Sequence, residues 1–227
     1  MRINLTKRRT TSAHSGPLPN PLTREVRPVG ADEFPEAAEV LVRAFFNFSL
    51  NQYLFPDPKK RAHQLRFIYL RTVELYRGVG GAFITDDGSG VALWTPPQFR
   101  HGVGLWRYLQ VGFLSTPFHI GWEMPLRRIG ALRDIERRRR AEIREPFWSL
   151  EVIGADPERQ RTGSGTALIR HVLDQADEQG LPAYVITHEA RNVAYYERFG
   201  FRLVGDAPFE PGAPPTCSLL RAASAKL

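Results

Sequence analysis

The chain has 227 residues, enough to bury one sizeable core, with 42% hydrophobic and 24% charged residues, an ordinary balance for a soluble protein. It holds no apolar run of roughly eighteen residues, which excludes a membrane-spanning helix. Its one cysteine, Cys217, excludes an intrachain disulfide framework and fits a reducing, cytoplasmic setting. The net charge of +7 invites a nucleic-acid partner, but residues 1–28 hold Arg2, Lys7, Arg8, Arg9, Arg24 and Arg27 against Glu25 alone. Most of the surplus therefore sits at the start of the chain.

Residues 1–21 mix Ser, Thr, Asn, Gly and Pro with few apolar side chains, which predicts a disordered basic tail. It lacks the apolar core of a secretory signal. Its basic, hydroxyl-rich composition is that of a mitochondrial presequence, but prolines at 17, 19 and 21 oppose the amphipathic helix such a presequence needs. Residues 22–227 are expected to form one domain. Glu25 to Pro28 reads as a first strand. Asp32 is placed to cap a helix carrying Phe34, Ala37, Leu41, Ala44, Phe45 and Phe48 at helical spacing. Asp57-Pro58 is an N-cap followed by proline at the first helical position, and a second helix runs from there to a stop at Gly78. Ala82–Thr85 and Val91–Trp94, joined by Asp86-Asp87-Gly88-Ser89-Gly90, read as a hairpin.

Between residues 98 and 125, Trp106, Tyr108, Phe113, Phe118 and Trp122 alternate with glycines. A short helix is expected over 105–113 and a loop beyond it, its aromatics either core or the lining of an apolar pocket. A helix from about Pro125 to Arg144 should face the core with Leu126, Ile129, Leu132 and Ile135. Its Arg137-Arg138-Arg139-Arg140 run points in four directions, so it predicts a solvated helix end rather than a nucleic-acid patch.

Phe147 to Gly154 lacks helical periodicity and ends in Gly, Asp and Pro, the pattern of a buried strand. A helix with Leu168, Val172, Leu173 and Ala176 on one face follows, stopped at Gly180. Between them lie Gln160-Arg161-Thr162-Gly163-Ser164-Gly165-Thr166. Two glycines, a cationic side chain and a helix N-terminus together suit a diphosphate. A Walker loop needs Gly-Lys-Ser/Thr, and a dinucleotide fingerprint needs a third glycine where Leu168 stands, so neither fits. A turn that binds nothing is the plain alternative. Further on, Ala183–Thr187 and Phe201–Val204 read as strands, with a short helix between them that Asn192 can cap. Residues 207–215 form a loop with four prolines, and Thr216–Leu220 completes the sheet. His171, His188 and Cys217 are not spaced as metal ligands, so no metal is expected.

Gln160-x-x-Gly163-x-Gly165 after the Val152-Ile153-Gly154-Ala155-Asp156-Pro157 strand resembles the acetyl-CoA loop of the GNAT acetyltransferase superfamily. Arg191-Asn192-x-x-x-Tyr196-Glu197-Arg198-Phe199-Gly200-Phe201 resembles its second signature. With Gly180-Leu181-Pro182-Ala183-Tyr184 upstream, residues 147–205 resemble the puromycin N-acetyltransferase group. The resemblance implies an α/β (α+β) GNAT fold, a central mixed, mostly antiparallel twisted sheet flanked by helices. It implies acetyl-CoA as acetyl donor and a small-molecule amine as acceptor. The backbone of Val152, Ile153 and Gly154, the loop Gln160, Arg161, Thr162, Gly163, Ser164, Gly165 and Thr166, and Asn192 and Tyr196 are then expected to hold the donor. Tyr196 is the candidate acid for the departing thiolate, with Tyr195 as rival or packing residue. Glu151, a carboxylate in an otherwise apolar strand, is the candidate base; a structural pairing with an arginine is its alternative. Ile186 and Glu145 stand where the group often carries an acid and a histidine, so those roles do not transfer.

Overall fold

In a computed structural model, which describes residues 24–99, 102–121 and 123–223, strand β1 (Val26–Pro28) leads into α1 (Phe34–Phe45), α2 (Ser49–Leu54) and α3 (Pro58–Arg77). The tail to Pro21 and Trp122 lie outside the described residues, as do the side chains of Leu126, Ile129 and Leu132. Asp57 caps α3 as its sequence predicts, accepting from the Lys59 N–H at 2.9 Å, and Gly78 ends it. The first helix differs from expectation. Its N-cap is Glu33, not Asp32, and the Glu33 carboxylate turns back to Arg27 and the Gly30 N–H instead of capping. Phe48 leaves the helix and becomes the extended residue before α2, an element the periodicity did not separate.

The hairpin β2 (Ala82–Thr85) and β3 (Gly90–Thr95) forms where expected. The aromatic stretch folds as α4 (Leu105–Gln110), a 3-10 turn and α5 (Thr116–Ile120), more helix than expected. Tyr108 and Phe113 pack on the core, whereas Trp106 and Phe118 are exposed and do neither expected job. Then come α6 (Glu123–Glu142), β4 (Trp148–Ala155), α7 (Ser164–Gln179), β5 (Ala183–Thr187), α8 (Val193–Glu197), β6 (Arg202–Asp206) and β7 (Cys217–Arg221). Among the described residues, no helix is long and apolar enough to cross a membrane.

The strands form one sheet in the order β1-β2-β3-β4-β5-β7-β6, antiparallel throughout except for the parallel pair β4–β5. Two apolar clusters cover its faces. One joins α1 and α3 to Val91 and Leu93; the other joins α7 and α8 to Trp94, Trp148 and Leu150. At Gly154 the approach of α1 leaves no room for a side chain: a Cβ there would sit 2.9 Å from Ala44 and 3.0 Å from Leu41 and Phe45.

The arginine run of α6 corrects the expectation of a solvated end. Arg138 pairs with buried Asp134 and donates to the Ala207 carbonyl, and Arg139 is 7% exposed against the central strand. The four directions hold, but two of them point inward. The hydrogen bonds of these guanidiniums repay their desolvation.

Candidate functional site

The central strand carries an irregularity at its middle. Leu93 lies opposite Val152 and Trp94 opposite Leu150, so Glu151 is an extra residue on β4, a β-bulge. The bulge resets the alternation of side chains. Trp148 and Leu150 face α7, and Val152, which would follow them in a regular strand, faces α1 and α3 instead. Ile153 takes over the α7 face.

Beyond the bulge, β4 and β5 part. They pair only from Trp148–Ala183 to Leu150–Val185, although β4 continues to Ala155 and β5 to Thr187. Asp156 donates its N–H to the Ser89 carbonyl at 2.8 Å. Alternation along the strand then turns the backbone of Gly154 and Val152 toward β3 and that of Ile153 and Ala155 into the gap. Ile153 and Ala155 do line a cavity of about 620 Å³ that opens there.

The floor of this cavity is the loop leading into α7. Arg161 (φ +64°) and Gly163 (φ +93°) are both left-handed, which folds the chain so that successive amides face outward. Gly163 supplies the turn the sequence asked of two glycines. Gly165 is helical and serves a different purpose: a Cβ there would lie 2.7 Å from the Tyr195 hydroxyl. Gln160, Arg161, Gly163, Ser164, Gly165 and Thr166 reach the cavity, and so do Asn192 and Tyr196 from α8 and its approach. Val152, Gly154, Thr162 and Glu151 do not. The Thr162 hydroxyl donates to the Arg159 carbonyl at 2.8 Å, holding the turn from within.

Ser164 is 2% exposed, and its hydroxyl is bound by Arg24 at 3.1 Å and Ser89 at 2.8 Å. Arg24 also pairs with Asp87, which accepts from Thr85 and Ser89. Burial works to raise the Asp87 carboxyl, but the Ser89, Thr85 and Arg24 hydrogen bonds prevail and hold it at about 2. This network ties the start of α7 to the hairpin turn. It leaves the Ser164 amide, not its hydroxyl, for a ligand.

Asn192 does not cap α8. Its side chain donates to Thr187 at 3.2 Å, closing the end of β5 instead. Tyr196 is 5% exposed yet lines the cavity, edge-on to Phe201. Burial, reinforced by the neighbouring Tyr195, pushes its phenol above the ordinary tyrosine range. Tyr195 also lines the cavity, its hydroxyl set against Gly165 at the start of α7. The sequence separated the two tyrosines around the helix; the cavity takes both. Sequence reasoning also missed Ala155, Arg159 and Arg198. Strand alternation past the bulge was the signal for Ala155. Arg198 lies in the second signature, and its guanidinium sits 4.8 Å from the Tyr195 ring centre. With Arg159 and Arg161 it makes the cavity strongly cationic.

Glu151 lies on the other face of the sheet. Its Oε1 accepts from Thr95 at 2.7 Å and from Arg139 at 2.8 Å, the arginine pairing weighed from the sequence. At the end of β5, His188 is buried against Thr216 at 3.2 Å, and burial lowers its imidazole to about 4. Among the described residues, no group of three or more His, Cys, Asp or Glu is placed to hold a metal ion.

Residues 118–201 match the Acetyltransferase (GNAT) family. The chain is 25% identical over 182 residues to an uncharacterized N-acetyltransferase of Schizosaccharomyces pombe, covering 76% of this chain and 72% of that protein. Its fold is similar to a structure described as histone acetyltransferase HPA2 and related acetyltransferase from Corynebacterium glutamicum, with a TM-score of 0.63 and 21% identity over 89% of this chain and 98% of the other. It is also similar to a Drosophila melanogaster polyamine N-acetyltransferase, with a TM-score of 0.59 and 14% identity over 88% of this chain and 99% of the other. At these identities the structural likenesses establish the fold. The GNAT superfamily is the level the comparisons reach; none of these relatives belongs by name to the puromycin group.

Proposed function

We propose that this chain, whose residues 118–201 match the GNAT acetyltransferase family, is an enzyme of that kind and moves an acetyl group from acetyl-CoA to a primary amine of a small molecule, by direct attack on the thioester. The observation that carries this reading is the parting of β4 from β5 beside an arginine-lined loop. Ile153 and Ala155 offer backbone donors and acceptors with no strand to take them, a fit for an extended amide-bearing arm. The left-handed turns at Arg161 and Gly163, the start of α7 and three arginines suit a diphosphate. Acetyl-CoA, when bound, supplies an activated carbonyl and a thiolate leaving group.

The chain's own groups then have distinct tasks. A backbone N–H of the central strand polarises the carbonyl oxygen. Tyr196 faces the cavity and gives a proton to the departing sulfur. Glu151, or a water it orders, receives the proton that the amine loses. Tyr196 packs on the α7 face and Glu151 on the α3 face, so donor and acceptor approach through the gap from opposite sides. The relatives named for N-acetylation favour an amine acceptor. The resemblance to the puromycin group points to a hydrophobic amine such as an antibiotic, and the single cysteine to the cytoplasm. The ion pair holding Glu151 favours one second reading, a degenerate domain that binds acyl-CoA and regulates a partner.

Calorimetry with acetyl-CoA and free-thiol release over a panel of amines separate these readings. Parent protein should bind acetyl-CoA and release thiol with at least one amine. Binding without release would select the degenerate domain. Arg161→Ala should weaken binding by up to about 2 kcal/mol. Gly165→Val, whose side chain collides with Tyr195 and fills the cavity, should weaken it more. Normal binding by Gly165→Val would place the donor elsewhere.

A further inference from the structure

Arg139 is the cation closest to the proposed chemistry, and the donor cavity does not account for it. It reaches from α6 to the central strand and is buried. Nη2 donates to Glu151 Oε1 at 2.8 Å and to Ser149 Oγ at 3.1 Å, and Nη1 donates to Glu136 at 2.8 Å. Thr95 adds a second donor to the same Oε1 at 2.7 Å. Among the described residues nothing donates to Oε2, and the Glu151 side chain keeps 19% of its surface exposed. Ser149 and Glu151 lie two residues apart on one strand, so ordinary alternation puts both on the α3 face within reach of one guanidinium.

We propose that Arg139 is the positioning residue of the acceptor side: with Thr95 it fixes Glu151 through Oε1, so that Oε2 is presented to the acceptor's amino group. This rests on the reading of Glu151 as proton acceptor. A guanidinium donating to one carboxylate oxygen fixes the rotamer, so the free oxygen keeps one direction. The groups facing this carboxylate are Arg139 and, behind it, Glu136 from α6, Thr95 from β3, Ser149 from β4 and Tyr76 from α3. Among these groups Arg139 carries the positive charge that faces Glu151, so its removal frees the carboxylate to leave its rotamer.

The test compares Arg139→Met, Arg139→Lys, Thr95→Val, Glu151→Gln and the double variant Arg139→Met/Glu151→Gln. Carboxyl-detected NMR of protein labelled at its glutamate side chains, with Glu151 assigned by Glu151→Gln, needs no acceptor. The Glu151 carboxyl signal should be single and sharp in the parent, and it should move and broaden in Arg139→Met as the side chain samples other rotamers. With the fastest amine of the panel, kcat/KM at neutral pH should fall about tenfold while acetyl-CoA affinity stays at the parent value, and Arg139→Lys should recover part of the loss. The double variant should be no slower than Glu151→Gln alone. A folded Arg139→Met with the parent Glu151 signal and kcat/KM, or a double variant whose losses multiply, overturns the proposal and leaves Arg139 as a pin between α6 and β4. If Arg139→Met does not fold, Thr95→Val carries the test. A lowered kcat with parent acetyl-CoA affinity and a moved Glu151 signal supports the proposal, and a parent kcat with the parent signal overturns it. Glu151→Gln at the parent rate is a different failure, that of the base reading itself.

Discussion

At the scale of single residues, the two tyrosines of α8 make the sharpest contrast. Burial keeps the Tyr196 hydroxyl protonated beyond the ordinary range, so it remains a donor throughout the working pH. The same burial makes it a weaker acid than a free phenol at about 10, facing a thiol near 8.5. Proton delivery therefore depends on the thiolate being as poorly solvated as the phenol. Tyr196→Phe removes one oxygen and should lower kcat by about 10²–10⁴-fold at saturating acetyl-CoA, with affinity for it little changed. The residual rate should show no added alkaline loss up to pH 9, because the group removed does not titrate there. Tyr195 touches the start of α7 and not the sulfur in this scheme. Tyr195→Phe should keep kcat near the parent value. Equal kcat for Tyr196→Phe and parent would leave water as the proton source.

At the scale of elements, the end of β5 links several loops. Glu189 accepts from the N–H of Ser49 at the start of α2, and Tyr53 of α2 donates to Glu210 at 2.6 Å. His188 sits behind them against Thr216 and Phe209. Its folded value of about 4 lies below the unfolded value near 6.5. Between those pH values the unfolded chain binds a proton that the folded chain refuses, so stability rises with pH across the window. The contribution is fully present above about 6.5 and lost as pH falls toward 4, on the order of 3 kcal/mol in all. Denaturant unfolding at pH 7 and pH 4.5 should show this loss in the parent, and His188→Gln should show less of it. An equal pH dependence in the two proteins would mean that the buried imidazole is not what acid attacks.

At the scale of the whole molecule, Arg24 sets how far the chain's start can be cut. Its guanidinium is nearly buried and joins Asp87 of the hairpin turn to Ser164 at the start of α7. Two truncations should therefore differ sharply. A protein beginning at Leu22 should keep the parent melting temperature and acetyl-CoA affinity, because the removed stretch holds few apolar side chains. A protein beginning at Glu25 should melt lower and bind acetyl-CoA more weakly, since Asp87 and Ser164 lose their shared donor. Equal melting of the two would remove any role for Arg24 in fastening the loop. Loss of stability on cutting to Leu22 would mean that the basic tail docks on the rest of the chain.

The sequence by itself determined the order of the strands and of the longer helices, the Asp57-Pro58 start of α3, the hairpin and the loop before α7. Each is written in local chemistry: a cap, a proline, a run of turn residues, glycine beside a cation. It also named Tyr196 and Glu151 through a signature and a carboxylate in an apolar run. Local chemistry could not show that β4 carries a bulge at Glu151. A bulge is a mismatch between two strands far apart in the sequence, and the β4 residues read the same with or without it. The bulge decided which backbone groups face the gap, Ile153 and Ala155 rather than Val152 and Gly154. Helical spacing alone made Arg139 one of four solvated arginines. Only the packing of α6 against the central strand turned it inward, because an arginine's environment is set by what the fold brings to it, and here that was a carboxylate twelve residues later.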